Sequence, residues 1–194
     1  MLGTSAHIDT FARDNLPPVD LLPDFKLDSF RYPEILNAGY ELTDAMVEKG
    51  FGDHTALIGN GRQRTYKELA DWTNRLAHVL RDDLGIVPGN RVLIRSANNP
   101  AMVACWLAAT KVGAVVVNTM PMLRAHELQK YVEKAEISHA LSDKRLIDEL
   151  QECAKTCKSL RKVVGFDGSS NHDAELDRLA LEKPVSFEPV KTGR

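Results

Sequence analysis

The middle of the chain carries a pattern of apolar and polar positions that predicts a strand, a helix and a second strand. Residues 92–94 are a short aliphatic run, and after a polar stretch a second apolar run ends at Val112. Within that run, residues 101–109 show almost no polar face, so the predicted helix must be covered on all sides. Residues 115–117 are three valines and predict the second strand. A buried crossover helix between two strands indicates a parallel sheet.

Residues 55–64 predict a β-hairpin, because Asn60-Gly61 supplies the positive φ angles of a tight turn. A nicotinamide site is excluded here, since the third glycine of its motif would fall at Arg64 and a hairpin replaces the required strand-to-helix turn. Thr65 and Glu68 then form a capping box at the start of a helix. The apolar face of this helix is Leu69, Trp72, Leu76, Val79 and Leu80, and its polar face is Lys67, Asp71, Asn74 and Arg75.

Helical and strand patterns continue on both sides of this region. Residues 34–49 predict a helix that Gly50 ends, with the apolar stripe Ile35, Leu36, Ala38, Leu42, Ala45 and Met46. The later elements are a helix at 127–135 with Leu128, Tyr131, Val132 and Ala135, a strand at 139–141, a helix capped by Asp143 with Leu146, Ile147, Leu150 and Ala154, a strand at 163–166 and a helix at 174–181. Such alternation predicts an α/β fold, a mostly parallel sheet with helices on both faces and right-handed crossovers.

We expect three parts in the chain. Residues 1–33 predict an extended arm lying across the surface, because four prolines interrupt its isolated aromatics, which are Phe11, Phe25, Phe30 and Tyr32. Residues 34–167 are the α/β domain, and residues 168–194 are a polar tail. The tail stops without a final strand or helix, as a chain cut at a linker would.

Composition favours one soluble cytoplasmic α/β domain. With 194 residues and 21.6 kDa the chain can bury one good core, and its net charge of -2 gives no indication of nucleic acid or an anionic membrane as partner. The amino terminus has no signal-peptide pattern, and no apolar run approaches the ~20 residues of a membrane span. Cys105 falls in the apolar helix, and Cys153 and Cys157 share a helix face without zinc-site spacing, so all three are expected to be reduced thiols.

Polar loops at the carboxyl ends of the strands are the places where a parallel sheet binds ligands. These loops are residues 96–100, 118–123 and 142–143. The simplest role for Asn98 and Asn99 is to cap the helix that follows. Met120 and Met122, which flank Pro121, are expected to pack against their neighbours or to line an apolar hollow. His126 and His139 stand without a nucleophile or carboxylate at catalytic spacing, and neither a Walker phosphate loop nor a receiver-type acidic cluster is present. The residues alone therefore define an α/β domain without a complete active site.

Three segments resemble the amino-terminal part of the AMP-forming acyl- and aryl-CoA ligases, members of the adenylate-forming superfamily. They are RTYKEL at 64–69, GIVPGNRVLI at 85–94 and LAATKVGAVVVN at 107–118, and His126-Glu127-Leu128 continues the match. Their order and spacing agree with that family over residues 55–166. The front arm, with HIDTFARDNLPP and YPEILNAGYEL, resembles the aromatic-acid members, the benzoate- and 2-aminobenzoate-CoA ligases.

The resemblance implies a two-step reaction that uses ATP, Mg and CoA in the full-length protein. A carboxylate attacks the α-phosphate of ATP and releases pyrophosphate, and the CoA thiolate then displaces AMP from the acyl-adenylate. Family members bind the nucleotide with a T-S-G-[ST]-T-G-x-P-K loop, an acidic residue and a lysine of a mobile carboxy-terminal domain, none of which is found in this sequence. We therefore expect an incomplete N-terminal subdomain of the acyl-CoA synthetase fold, truncated before the nucleotide loop, inactive by itself and with no cofactor bound.

One residue has a candidate binding role under this resemblance. In the family, the loop after the strand at 115–117 approaches the mouth through which CoA enters, so Arg124 is a candidate contact for a CoA phosphate. The position where some members carry a basic residue is Met122 here. No catalytic residue and no metal ligand is assigned. A stand-alone α/β module that recruits a partner is the other hypothesis, and apolar surface left exposed by an incomplete sheet would favour a homo-oligomer.

Overall fold

The computed structural model of the chain describes residues 5–23, 28–30, 32–169 and 171–193. Phe25, one of the aromatics assigned to the arm, lies outside these ranges. Among the described residues the strands are β1 (Thr55–Gly59), β2 (Arg62–Thr65), β3 (Arg91–Arg95), β4 (Val115–Thr119), β5 (His139–Asp143) and β6 (Lys162–Phe166). The helices are α1 (Phe11–Asp14), α2 (Ala38–Glu41), α3 (Asp44–Met46), α4 (Tyr66–His78), α5 (Pro100–Lys111), α6 (Ala125–Lys134), α7 (Asp148–Thr156) and α8 (Glu175–Leu181). Turns of 3-10 helix lie at Val19–Leu21, Asp28–Phe30 and Lys144–Leu146, and a π-helical turn lies at Val79–Asp83. The turn at Val47–Phe51 is broken at Gly50, whose φ angle is 88°.

Strands β3 to β6 form one parallel sheet in the order β4-β3-β5-β6, and β1 and β2 form a separate antiparallel hairpin. Strand β3 pairs with β4 residue for residue, from Arg91 with Val115 to Arg95 with Thr119. The predicted strand, helix and strand are therefore confirmed, with α5 as the crossover. The hairpin is confirmed as well, because Asn60 and its neighbouring glycine have φ angles of 53° and 72°.

Each face of the sheet is covered by its own helices. Val92 and Ile94 of β3 pack in one cluster with α4, α5 and α8, whereas Leu93 packs with α6 and α7 on the opposite face. Every residue of β3 is buried, and α5 is buried through most of its length. The structure therefore confirms an α/β fold with a parallel sheet and helices on both faces.

The helix predicted over residues 34–49 is wrong in its start and in its continuity. Helix α2 begins at Ala38, where the side-chain oxygen of Asn37 accepts a hydrogen bond from the Tyr40 amide at 3.2 Å. The side-chain nitrogen of Asn37 donates to three main-chain carbonyl groups, two at the end of α5 and one in the tail. These bonds fix the position of the chain at Asn37. Ile35 therefore does not join the helix and forms a β-bridge with Gly193 of the tail. Thr43, with φ −133° and ψ −85°, then separates α2 from α3.

Three further side chains differ from their predicted placement. Asn74, expected on the polar face of α4, is buried because a buried lysine of α5 donates to its side-chain oxygen. Tyr131, expected on the buried face of α6, is about half exposed, since Leu128 and Val132 form that face without it. Asp143, expected to cap an α-helix, caps the 3-10 turn that follows β5 instead. The next α-helix, α7, therefore starts only at Asp148.

The amino-terminal arm is attached to the loop before β3. The amides of Ile8 and Asp9 both donate to the carbonyl of Pro88, at 3.0 and 2.9 Å. The Asp9 carboxylate pairs with the Arg91 guanidinium at 2.5 Å, and that guanidinium lies 4.4 Å from the centre of the Phe11 ring. This packing explains why the arm contains the single-turn helix α1, although its sequence predicts no regular structure.

Replacing Asp9 with asparagine is expected to loosen this attachment. Burial raises the pKa of Asp9, but hydrogen bonds led by that from Arg91 lower it by more, so the folded chain favours the carboxylate. Losing the charged hydrogen bond should speed hydrogen exchange at the Ile8 and Asp9 amides roughly fivefold. Asp20→Asn, at an exposed carboxylate of the same arm, is the control and should leave both rates unchanged. Equal exchange rates in all three proteins would contradict the attachment.

Candidate functional site

The carboxyl ends of the parallel strands form a cleft at one edge of the sheet, which is where such sheets bind ligands. Strand β3 ends there at Arg95 and β4 at Thr119. The cleft has a volume of about 450 Å³ and lies between the loop after β4 and the turn after β5. Its lining residues are Arg95, Pro121, Met122, Arg124, Arg145, Leu146, Asp148 and Glu149. Three arginines against two carboxylates give this lining an excess of one positive charge.

Arg95 lines the cleft from its buried side. It is only 2% exposed, and its Nη2 donates to the carbonyls of Pro121 and Leu123, at 2.6 and 2.7 Å. Its Nε and Nη1 are buried and have no hydrogen-bond partner among the described residues, and neither has the hydroxyl of Thr119, the residue paired with it on β4. Burial lowers the pKa of Arg95, but a guanidinium stays charged in proteins. A buried cation with unused donors favours an anionic ligand.

Arg124, the candidate phosphate contact from the sequence, stands at the mouth of the same cleft. Its side chain is 73% exposed, and its Nη1 donates to Glu149 Oε1 at 2.7 Å. The hydrogen bond with Glu149 raises the pKa of Arg124 and lowers the pKa of the Glu149 carboxyl. Because an exposed ion pair of this kind is weak, a phosphate group can compete with Glu149 for the guanidinium.

Arg145 lines the other side of the cleft and is held there by a buried carboxylate. Asp143 at the end of β5 accepts from Arg145 Nε at 2.9 Å and from Nη2 at 2.5 Å. Burial raises the pKa of Asp143, but the hydrogen bonds from Arg145 lower it by more, so the carboxylate stays charged. The bidentate pair fixes the guanidinium, whose side chain remains 56% exposed.

The loop after β4 does not pack as the sequence predicts. Met120 and Met122 are mostly exposed, because the loop is held by Arg95, which binds its main-chain carbonyls, and by Leu123, which packs against the core. The packing prediction for these methionines is therefore wrong. Asn99 does cap α5, by accepting from a main-chain amide of its first turn at 2.9 Å, whereas Asn98 is exposed.

Neither histidine singled out in the sequence joins the cleft. His126 is exposed on α6, and His139 begins β5 at the opposite edge of the sheet. The ring of His139 is buried, with Nδ1 2.7 Å from the Ser138 hydroxyl and Nε2 3.0 Å from the Leu84 carbonyl. Burial lowers its pKa, which favours the neutral ring.

Sequence reasoning did not single out Arg95, Thr119 or Arg145, although Thr119 lies in the predicted ligand loop 118–123. A signal for Arg95 was present, since an arginine that ends the run RVLIR is unusual in a strand buried on both faces. Thr119 and Arg145 carry no such signal, because a threonine that ends a strand and an arginine in a turn are ordinary surface choices.

The fold and the cleft together define a parallel α/β domain with a cationic site at the carboxyl edge of its sheet. Residues 45–191, more than half of the chain, match the family described as AMP-binding enzyme. The chain therefore belongs to that family. In the part of the chain that the structure describes, no helix is both long enough and apolar enough to cross a membrane.

Two relatives and one solved structure show the extent of the similarity. A 3-oxocholest-4-en-26-oate–CoA ligase of Rhodococcus rhodochrous is 28% identical over 121 residues, which cover 62% of this chain and 22% of that protein. A 3-hydroxybenzoate–CoA ligase of Aromatoleum sp. (strain CIB) is 29% identical over 157 residues, which cover 80% of this chain and 30% of that protein.

The anthranilate CoA ligase AuaEII, solved in complex with anthranoyl-AMP, superposes with a TM-score of 0.75 and 16% identity over 88% of this chain and 31% of that one. At that identity the likeness shows the fold alone, and it confirms the expected amino-terminal part of the acyl-CoA synthetase fold. The chain spans less than a third of the length of each of these three proteins.

Proposed function

We propose that this chain is the amino-terminal part of an AMP-forming ligase that joins a carboxylic acid to CoA. The observation that carries the proposal is the match of residues 45–191 to the AMP-binding enzyme family. By name, both relatives described above are acid–CoA ligases. The proposed reaction converts ATP, an acid and CoA into acyl-CoA, AMP and pyrophosphate, and its proposed setting is the cytoplasm.

The residues of this chain do not fit a site for the ATP phosphates or for Mg. The sequence lacks the T-S-G-[ST]-T-G-x-P-K loop, and within the described ranges no three His, Cys, Asp or Glu side chains are grouped as metal ligands would be. The chemical steps of the proposed ligase therefore need residues outside this chain. The chain alone should not form an acyl-adenylate.

In this proposal the chain binds a phosphate group of CoA in the cleft at the carboxyl edge of the sheet. Arg95 supplies two donor nitrogens without a partner in the described residues, while Arg124 and Arg145 present guanidinium groups toward solvent. Guanidinium groups bind phosphate through charge-assisted, bidentate hydrogen bonds. With Met122 in place of a basic residue, Arg124 is the exposed cation of this loop that can make the contact.

An aromatic acid, of the benzoate or 2-aminobenzoate class, is the substrate that we propose. The resemblance of the front arm to aromatic-acid members supports this choice. The match to the 3-hydroxybenzoate–CoA ligase also extends over 80% of this chain, whereas the match to the 3-oxocholest-4-en-26-oate–CoA ligase extends over 62%.

Pyrophosphate exchange tests the proposed activity. The full-length parent protein should exchange pyrophosphate into ATP with at least one of benzoate, 2-aminobenzoate and 3-hydroxybenzoate. The chain of 194 residues should give no exchange with any of them. Exchange by the short chain would overturn its inactivity, and a parent protein that activates no carboxylic acid would overturn the ligase assignment.

Replacing Arg124 with glutamine in the parent ligase tests the phosphate contact. The KM for CoA is expected to rise roughly fivefold, because a charge-assisted hydrogen bond is lost. Pyrophosphate exchange should not change, since it precedes the reaction with CoA. Lys155→Gln, which removes an exposed cation of α7 paired with Glu152, is the control and should alter neither quantity. An unchanged KM in Arg124→Gln would remove Arg124 from the CoA site.

A further inference from the structure

A second pocket lies on a different surface of the domain, between the β1–β2 hairpin, α4 and α8. Its volume is about 450 Å³, and it shares no lining residue with the cleft at the carboxyl edge of the sheet. The side chains that define its chemistry are Arg62, Arg64, Trp72, Arg75, His172 and Leu181. Three carboxylates, those of Glu68, Asp71 and Asp177, also line it. The pocket therefore combines three guanidinium groups and three carboxylates with an apolar and aromatic wall.

Arg64 is a buried cation that no carboxylate neutralises at short range. It is 7% exposed, its Cζ lies 4.7 Å from the centre of the Trp72 ring, and its Nη2 lies 3.2 Å from His172 Nε2. Among the described residues no carboxylate oxygen reaches ion-pair distance from it. The nearby Glu68 is bound instead to Arg62 at 2.8 Å and to the main-chain amide of its capping box at 2.9 Å. A cation buried in this way is costly unless an anion joins it.

The other charged groups of the pocket already have partners. Arg75 donates to the main-chain carbonyls of Leu181 and Lys183, at 2.6 and 2.7 Å. Asp71 accepts from a lysine of the same helix at 2.6 Å, and Asp177 accepts from main-chain amides at 2.8 and 3.3 Å. Of the three arginines, Arg62 is paired with Glu68 and Arg75 is held by neutral main-chain carbonyls. Buried Arg64 has only the His172 ring as a hydrogen-bond partner among the described residues.

We propose that this pocket binds a small oxyanion, the carboxylate or phosphate group of a small molecule, with Arg64 as its principal ligand. The planar fork of a guanidinium matches the oxygens of either group. The Trp72 ring lies against the Arg64 guanidinium and restricts its movement, so less freedom is lost on binding. The site does not depend on the ligase assignment, since the other cleft carries the proposed CoA contact.

Tryptophan fluorescence of the 194-residue chain provides the test. The chain has two tryptophans, so Trp106→Phe leaves Trp72 as the reporter beside the proposed anion. Sodium phosphate and sodium propionate are titrated separately at constant ionic strength, with chloride as the balancing anion. At least one of them should give a saturable change with a Kd of about 1 mM or tighter, and the stronger response identifies phosphate or carboxylate as the ligand group.

Arg64→Met in the same background should weaken this binding at least roughly tenfold. The matched control is Arg81→Met, because Arg81 also lies over an aromatic ring, that of Phe187 at 4.8 Å, but is neutralised by Asp82 at 2.6 Å. This control should leave the binding unchanged. If Arg64 had only a structural role, neither anion would give a saturable change in fluorescence. A titration without saturation for both anions would therefore overturn the proposal. Equal binding in Arg64→Met and its parent would overturn it as well.

Folding is checked separately for the variant at Arg64. In buffer without oxyanions Arg64→Met should melt within a few degrees of its parent, because methionine fills the space without a charge to neutralise. Phosphate or propionate should raise the melting temperature of the parent and not that of the variant. If Arg64→Met does not fold, Arg64→Lys replaces it, and its point charge should bind the anion more weakly than the bidentate fork does. Equal affinity in Arg64→Lys and the parent would also count against the proposal.

Discussion

Replacing Lys111 with methionine is expected to lower the free energy of unfolding by about 3–5 kcal/mol, the range found when one partner of a buried ion pair is removed. Lys111 lies at the end of α5 and is completely buried. Its ammonium group donates to the carboxylate of Asp44, to the Thr73 hydroxyl at 2.9 Å and to the Asn74 side-chain oxygen at 2.5 Å. One cation thereby ties α3, α4 and α5 together, and its loss removes one hydrogen bond from each of three polar groups.

Urea unfolding of a matched set measures this effect. Lys67→Met removes an exposed lysine of α4 that pairs with Asp71, and it should change stability by no more than about 0.5 kcal/mol. The double variant Asp44→Asn with Lys111→Met should recover part of the loss, because the unpaired carboxylate is gone. A Lys111→Met protein as stable as Lys67→Met would show that the network contributes nothing.

The same site predicts a dependence of stability on pH. Burial raises the pKa of Asp44, but hydrogen bonds from Asn74 and Lys111 lower it by more, so the folded value lies below the ordinary 3.8. The unfolded chain then binds the proton more tightly, and the contribution is complete above about pH 5 and is lost as the pH falls through the folded pKa. Lys111→Met should reduce this acid dependence in unfolding curves recorded between about pH 5 and pH 2.

Replacing Gly39 with alanine is the second change with a large expected effect. A Cβ atom at this position of α2 would lie 2.5 Å from the Leu107 carbonyl oxygen and 2.9 Å from the Lys111 main-chain nitrogen. Both are backbone atoms of α5, so neither can rotate away, and the two helices must separate. Overpacking of this kind costs about 3 kcal/mol, of which the better helix propensity of alanine returns about 1 kcal/mol.

Gly52→Ala provides the control for this substitution. Gly52 has φ −50° and ψ −40°, and a Cβ there would meet only side-chain atoms, at 3.6 and 3.9 Å. Its stability in urea should therefore equal or exceed that of the parent chain. A Gly39→Ala protein that unfolds at the same urea concentration as Gly52→Ala would contradict the close approach of α2 and α5.

Local signals account for the parts of the fold that the sequence predicts correctly. The Asn60-Gly61 turn and the capping box of Thr65 and Glu68 each lie within four residues, and both are found as expected. The break in the first helix has no local signal. It depends on Asn37, whose side chain contacts carbonyls 73 to 153 residues further along the chain. Asn74 is a similar case, since its buried partner is 37 residues away.

The candidate site was predictable as a position in the fold, but not as a set of side chains. A parallel sheet directs attention to the carboxyl ends of its strands, and the resemblance to the CoA ligases then points to Arg124. The unused donors of Arg95 have no local signal, because its Nη2 binds loop carbonyls that lie 26 and 28 residues later in the chain. The pocket at Arg64 needs the tail as well, since His172 lies 108 residues further along the chain.

The bridge between Ile35 and Gly193 places the start of the α/β domain beside the end of the tail. The Leu36 amide donates to the Thr192 carbonyl at 2.9 Å, and the Thr192 hydroxyl donates back to the Leu36 carbonyl at 2.6 Å. A segment whose two ends lie side by side can be inserted into a loop of a host protein. Its ends can also be joined by a short linker and new ends opened at the hairpin turn. A mechanical load applied at Ile35 and Gly193 would break these two hydrogen bonds one at a time before it reached the sheet.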